Sequence, residues 1–526
     1  MRNINVDLTR IKGKHDKFFK VCAGTGRAYL LLRSDHQQHL EIARRECGFE
    51  YLRFHGLLDD DMGVYREDKD GNPVYNWQYV DSVYDYILSI GMRPFLEFSF
   101  MPGKLASGNK TVYWEQSNIT PPKDYAKWRK LIYEVVKHFT ERYGCEEVKK
   151  WYFEVWNEPD LFCREDHYNE GTVLFFTGDM NEYFILYEST ARAVKSVCHE
   201  YRVGGPAFSG VSKDNWIGGL IDYCYDNKVP IDFVTTHGYL TKFVTDEGNV
   251  GGTYFDKEGN CIVEGKMYYD PESVVGDVKR ACNEVKASCI PNLDIYFTEF
   301  GLSCDYWDPL RDSYHAASYI LSRLKRDQGC VKAMTYYIIS DVFEEDGPPT
   351  DHFHGGFGLL NLQSIRKPSF FAYKYLNQLG DMELECNDPD TFACFDERGI
   401  QVLFWDCTVR QDLPNKEYYN RDIPSLLAQK VRLTITGLKL GTYEVSFYCT
   451  GYRHNDAYTS FLEMMYSGSL TREQVKSLDN QSSDLPVKND KIVITDSSSG
   501  IFECDIDMRE NDVYLVTLVI EGGGSR

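Results

Sequence analysis

Two glutamates each close an apolar run of this chain: Glu158 in Trp156-Asn157-Glu158-Pro159, and Glu299 in Phe297-Thr298-Glu299-Phe300. A carboxyl group at the end of a buried strand is placed for proton transfer or nucleophilic attack. Two such groups across a gap are what cleavage of a glycosidic acetal requires: one protonates the leaving oxygen, the other attacks the anomeric carbon or activates water. Separations of about 5–5.5 Å give retention of configuration and wider ones give inversion. Either motif alone is weak, because a glutamate after a strand is often only the neighbour of a helix start. The pair is much stronger once both fall at the same end of one sheet.

The elements that must position them alternate in type. Eight apolar, β-branched and aromatic runs read as buried parallel strands: Phe18–Ala23, Tyr51–Gly56, Met92–Phe98, Trp151–Trp156, Tyr201–Gly205, Ile231–His237, Leu293–Glu299 and Lys332–Ile339. Helical periodicity lies between them. Asn76 reads as the cap of a helix with Trp77, Val80, Val83, Tyr84, Ile87 and Leu88 on its apolar face, and Pro121 and Pro122 open another with Tyr125, Trp128, Leu131, Ile132, Val135 and Phe139. Eight strands each followed by a helix predict an α/β fold, a (β/α)8 TIM barrel over 16–380, with catalytic groups at the C-terminal strand ends. The alternative, a doubly wound open sheet, lacks its nucleotide site: Gly24-Thr25-Gly26 follows the first run without the third glycine of G-x-G-x-x-G.

Beyond Gly380 the texture changes to alternating runs, including Ile400–Trp405, Val431–Ile435, Tyr443–Tyr448 and Val513–Ile520. These predict an accessory C-terminal β-sandwich over 381–526, joined by an N-terminal strand from 1–15. A helical insert near 459–478 carries Thr471 and Gln474 at capping-box spacing.

Other strand ends agree with Glu158 and Glu299, which lie on the fourth and seventh strands. The second ends in His55, and the sixth in His237-Gly238-Tyr239. The eighth leads into Ser340-Asp341-Val342-Phe343-Glu344-Glu345. A lone buried histidine is usually structural, but His55 and His237 share a rim with two acids and read as sugar hydroxyl ligands. Tyr239 can donate to the Glu299 carboxylate, and one of Glu344 and Glu345 reads as a hydroxyl clamp. The pairing on strands four and seven resembles the barrel glycosidases that retain configuration, which makes Glu158 the acid/base and Glu299 the nucleophile. In that group the asparagine before the acid, here Asn157, bonds the sugar 2-hydroxyl.

Bulk properties set limits. The 526 residues are 43 % hydrophobic and 26 % charged, as in an ordinary globular protein, with a net charge of −22. So negative a surface argues against nucleic-acid and anionic-membrane partners. No run of 18 apolar residues occurs, and the polar N-terminus has no signal-peptide core, so a cytoplasmic chain with reduced thiols is expected. The 16 cysteines form no C-x-x-C pair and show no zinc spacing with histidine. His352-Phe353-His354 sits in a Gly/Pro-rich loop after the last strand, and Asp68–Asn72 fails the calcium-loop pattern, so no metal is expected.

Longer strings resemble one family, glycoside hydrolase family 39, and within it the bacterial β-xylosidase branch rather than the α-L-iduronidases. They include Gly24-Thr25-Gly26-Arg27, His55-Gly56-Leu57-Leu58, Glu154–Pro159, Ser340–Glu345 and Phe353–Leu359, over about 18–380. The resemblance implies removal of a terminal β-linked sugar, most often xylose from xylo-oligosaccharides, with retention through a covalent glycosyl-enzyme and no cofactor. It places His55, Asn157, His237, Tyr239, Tyr337, Glu344 and Glu345 near the sugar, and points to a homo-oligomer, a tetramer in many members. Departures are Tyr337 where the family has tryptophan, Gly301 where it tends to have asparagine, and altered loops over 160–180 and 245–270. These leave open an arabinoside, galactoside, glucoside or uronide substrate. A non-catalytic carbohydrate-binding barrel is the rival, though such a barrel normally loses one of the two acids.

Overall fold

The structure, a computed structural model, describes residues 1–161, 174–210, 214–249, 252–255, 261–273, 277–464, 468–496 and 500–521. Eight parallel strands close into a barrel: β1 (Cys22–Arg27), β2 (Tyr51–His55), β3 (Arg93–Phe98), β4 (Tyr152–Val155), β5 (Arg202–Phe208), β6 (Phe233–Tyr239), β7 (Asp294–Gly301) and β8 (Ala333–Tyr336). Each pairs with the next, and β8 returns to β1 through Tyr336 and Ala23. A helix follows every strand, so the barrel is the TIM type.

Several of the helices begin where side chains satisfy their first N–H groups. Asn76 Oδ1 accepts from Gln78 N (3.2 Å) ahead of the helix Gln78–Ser89, whose Val80, Val83, Tyr84 and Ile87 are buried. The next helix starts at Tyr125, later than the proline pair suggests. Asp124 accepts from both Ala126 N and Lys127 N, and that cap fixes the first turn.

The first strand also differs from its sequence reading. Phe18–Lys20 is a 3-10 turn with Phe18 and Phe19 buried, and β1 starts at Cys22. An apolar run does not distinguish a buried turn from a strand. Gly24 and Gly26 therefore lie inside β1. A Cβ on Gly24 would come within 2.8 Å of Tyr337 Cδ2, so only glycine lets the strand pass beneath that ring.

The barrel interior is layered. Cys22, Phe95, Tyr152, Phe233, Tyr296 and Ala333 pack as an apolar floor. Above them lie buried Arg53, Glu97, Glu154 and Thr298, and above those the rim that carries Glu158 and Glu299.

The accessory part is a nine-stranded mixed sheet that curls towards closure around Val402, Phe404, Val431, Leu433, Val445 and Val516. The N-terminal strand Arg2–Lys14 lies within it, antiparallel to Met382–Cys386 and parallel to Leu427–Thr436. The alternate residues Leu403, Trp405, Val513 and Leu515 face the other way and join the barrel's own core. The helical insert is present as Ala457–Glu463 and Arg472–Gln481, with the Thr471–Gln474 capping box formed. Among the described residues no helix is long and apolar enough to cross a membrane.

Candidate active site

β4 ends in a sharply bent segment. Trp156 (φ 70°) and Glu158 (φ 44°) both adopt positive φ, uncommon for residues with a side chain. The bend lets Glu158 N donate to Ala207 O at the end of β5 (2.9 Å), while Trp156 Nε1 donates to Phe175 O (2.7 Å). Glu158 is thereby turned into a cavity of about 510 Å³ at the C-terminal mouth of the barrel. Glu299 reaches the same cavity from β7.

One imidazole spans the two acids. His237 Nδ1 lies 2.7 Å from Glu158 Oε1 and 3.5 Å from Glu299 Oε2. Ligand atoms of Glu158, His237 and Glu299 all fall within 4.8 Å of one another. The acids thus face one gap, at a spacing a single anomeric carbon can bridge.

Their surroundings differ. Both oxygens of Glu299 are engaged: Arg53 Nη1 donates to Oε1 (2.9 Å), and Tyr239 OH donates to Oε2 (2.6 Å). Gly301 pairs with Tyr239 across β6 and β7, and a Cβ there would meet the tyrosine ring at 3.0 Å. Glycine at this departure from the family pattern therefore leaves Tyr239 its place over Glu299. Among the described residues Glu158 has no lysine or arginine partner of its own. Burial pushes its carboxyl well above the usual range, and the Glu299 and Asp160 carboxylates push the same way. Burial, with Arg53 and His55 nearby, drives His237 well below its ordinary pKa, so its ring is neutral.

Sequence reasoning missed Arg53, the hub beneath the rim. Besides Glu299 it donates to Glu154 (2.5 Å) and Asn157 Oδ1 (2.9 Å), and it pairs with Glu97 (2.7 Å). The signal was present: Tyr51–His55, Pro94–Phe98 and Tyr152–Val155 each carry one charged residue in the middle of an apolar strand. Such a charge is buried only if paired. Burial alone would lower His55, but Glu97 Oε2 2.9 Å from its Nδ1 outweighs that and raises the imidazole to about 9.

The far wall holds Tyr337, whose OH donates to Glu345 Oε1 (2.7 Å), and Tyr306, whose OH donates to Glu345 Oε2 (2.9 Å). Burial, reinforced by Glu299, raises Glu345 to about 7. His55, Asn157, Tyr239, Tyr337 and Glu345 all line the cavity, and His237 lies immediately behind it. Glu344 does not join them: its Oε1 accepts from Arg33 Nη1 at 2.7 Å, at the surface. Successive residues of a loop point apart, and Arg33 takes one of the two acids. Tyr113, Phe175 and Phe357 complete an aromatic lining that strand-end reading could not reach, because they come from loops.

Of the altered loops, residues 162–173 and much of 250–264 lie outside the described residues. The hairpin Thr241–Val244/Lys266–Tyr269 supplies Phe243, Lys266 and Met267 to the cavity. The accessory part adds Asn415, whose Nδ2 donates to Asp308 (2.6 Å) and whose Oδ1 accepts from Tyr269 N (2.8 Å).

A (β/α)8 barrel that converges two carboxyl groups on one sugar-sized mouth, among hydroxyl-binding side chains and aromatic rings, is the framework of a glycoside hydrolase. Comparison with known proteins gives the family. The chain belongs to glycosyl hydrolases family 39, whose model matches residues 2–491, and it is a glycosidase acting on a glycoside. It is 34 % identical over 525 residues to a β-xylosidase of Caldicellulosiruptor saccharolyticus, covering 98 % of each chain. It is 40 % identical over 417 residues to one of Geobacillus stearothermophilus, covering 78 % of each. A crystal structure described as a monomeric β-xylosidase from Caulobacter crescentus superposes with a TM-score of 0.89 at 36 % identity, covering 99 % of this chain and 100 % of that one.

Proposed function

We propose that this glycosidase removes terminal β-linked xylose from xylo-oligosaccharides with retention, Glu299 acting as nucleophile and Glu158 as acid/base. The observation that carries the reading is the approach of the two carboxyl groups to within 4.8 Å, one held by two donors and the other driven towards its protonated form. Glu299 attacks C1 as the bond from C1 to the leaving oxygen breaks, and Glu158 gives that oxygen its proton. Glu158, now a carboxylate, then takes a proton from water; the hydroxide portion attacks C1 and releases Glu299.

Neutral His237 donates from Nδ1 to Glu158 Oε1, which leaves the proton on Oε2. Arg53 occupies Asn157 Oδ1, and the amide nitrogen, which has no partner among the described residues, can donate to a sugar hydroxyl. Exo-action is supported by the hydrogen-bonded wall of Glu345, Tyr337 and Tyr306 that lines the cavity. Xylose is supported by the names of relatives 34–40 % identical. The tetramer implied by resemblance stands beside a relative described as monomeric, and sedimentation velocity on this protein distinguishes the two.

The test is Glu299→Ala given an activated aryl β-xyloside and azide. Turnover is expected only with azide, and the product is the α-xylosyl azide. A β-xylosyl azide would remove Glu299 from the nucleophile's role. Wild-type activity on the aryl galactoside or glucoside but not the xyloside would overturn the sugar.

A further inference from the structure

At the opposite end of the barrel two thiols meet. Cys145 opens the short helix before β4, and Cys198 closes the helix Met180–Val197 before β5. Both are free cysteines, and their Sγ atoms are 3.8 Å apart although 53 residues separate them in sequence. His199 and Glu200 follow at once. The ligand atoms of Cys198, His199 and Glu200 lie within 4.8 Å of one another.

Zinc binds thiolate sulfur at about 2.3 Å in a tetrahedral shell, which sets two sulfurs about 3.8 Å apart. The cysteine pair already has that spacing. Thiolate and imidazole together form a borderline-soft donor set that selects zinc-like cations over magnesium or calcium. His199 and Glu200 are exposed, so a cation can enter from solvent and the ring can turn to it without disturbing the core. Two thiolates and a carboxylate around a divalent cation leave one negative charge. The Lys149 ammonium, 2.9 Å from Glu200 Oε1, sits beside it.

We propose that Cys145, Cys198 and His199, with Glu200 completing the shell, form a structural site for Zn2+ that ties the connection before β4 to the one before β5. Both connections lie on the barrel face that serves stability rather than catalysis. Filling the site releases two thiol protons to solvent, so affinity rises with pH.

The experiment uses the full chain, reduced with a phosphine, stripped by a chelator and titrated with Co2+. One Co2+ per chain is expected, with a near-ultraviolet thiolate-to-cobalt charge-transfer band that Zn2+ abolishes. Cys145→Ser and Cys198→Ser should each lose the band. His199→Ala, at an exposed position that spares the fold, should weaken Co2+ binding by at least ~10-fold, the loss seen on altering groups around a metal. Zn2+ should raise the melting temperature of the wild type alone. A wild-type protein without the band overturns the site, as does a band that persists in Cys145→Ser, or an unchanged Co2+ affinity in His199→Ala.

Discussion

Glu158 owes its raised pKa first to burial and then to two carboxylates, Glu299 and Asp160. Only Glu299 belongs to the chemistry proposed above. Asp160 is buried and accepts from Ser209 N (2.8 Å) and Ser209 Oγ (2.5 Å), so it also pins the loop after β5 to the loop after β4. Asp160→Asn keeps an oxygen for Ser209 N but removes the negative charge, so Glu158 titrates lower. A general acid works while it holds its proton, so kcat/KM falls as pH rises through its pKa. The basic limb of the profile for Asp160→Asn should therefore move to lower pH, with the acidic limb in place. An unmoved or higher basic limb in a variant of wild-type melting temperature would separate Asp160 from the acid.

At the scale of elements, the loop after β8 is fixed by a buried ion triad. Lys367, fully buried at the start of the helix Pro368–Gln378, sets Nζ 2.6 Å from both Asp312 Oδ1 and Asp341 Oδ2. Asp341 in turn accepts from Gly358 N (2.7 Å), and Asp312 from Gly355 N (2.7 Å). Between these anchors runs the chain that brings Glu345 and Phe357 to the cavity. Removing one partner of a buried pair strands the charges left behind, which costs about 3–5 kcal/mol. Lys367→Met should lose that much in urea denaturation and raise KM through the displaced wall. A loss below ~1 kcal/mol would show that the aspartates simply take up protons.

For the whole molecule, barrel and accessory sheet share one core. Trp405, Leu403, Val513 and Leu515 of the sheet belong to the same apolar cluster as the barrel helices, and Trp405 Nε1 donates to Ser322 Oγ of the helix after β7 (2.8 Å). Asn415 carries that contact to the cavity rim. Calorimetry should show one unfolding transition, since neither part keeps a complete apolar face without the other. Two resolved transitions would contradict this. Asn415→Ala leaves Asp308 Oδ2 without its donor, while Tyr269 N keeps only its longer bond to Gln411 Oε1 (3.1 Å), and an unmet buried group costs about 1–3 kcal/mol. The transition temperature should therefore fall.

The sequence by itself determined the alternation of strand and helix, the strand ends that carry Glu158 and Glu299, and the capping box of the insert. These depend on local periodicity and side-chain chemistry, which a chain states residue by residue. It left β1 misplaced at Phe18, because a buried turn and a buried strand are equally apolar. Only the tertiary structure decided that Arg53 joins four partners, that Arg33 draws Glu344 away while Glu345 faces the cavity, and that Cys145 meets Cys198. Each depends on segments brought together by barrel closure, and pairing across such distances leaves no spacing in the sequence to read.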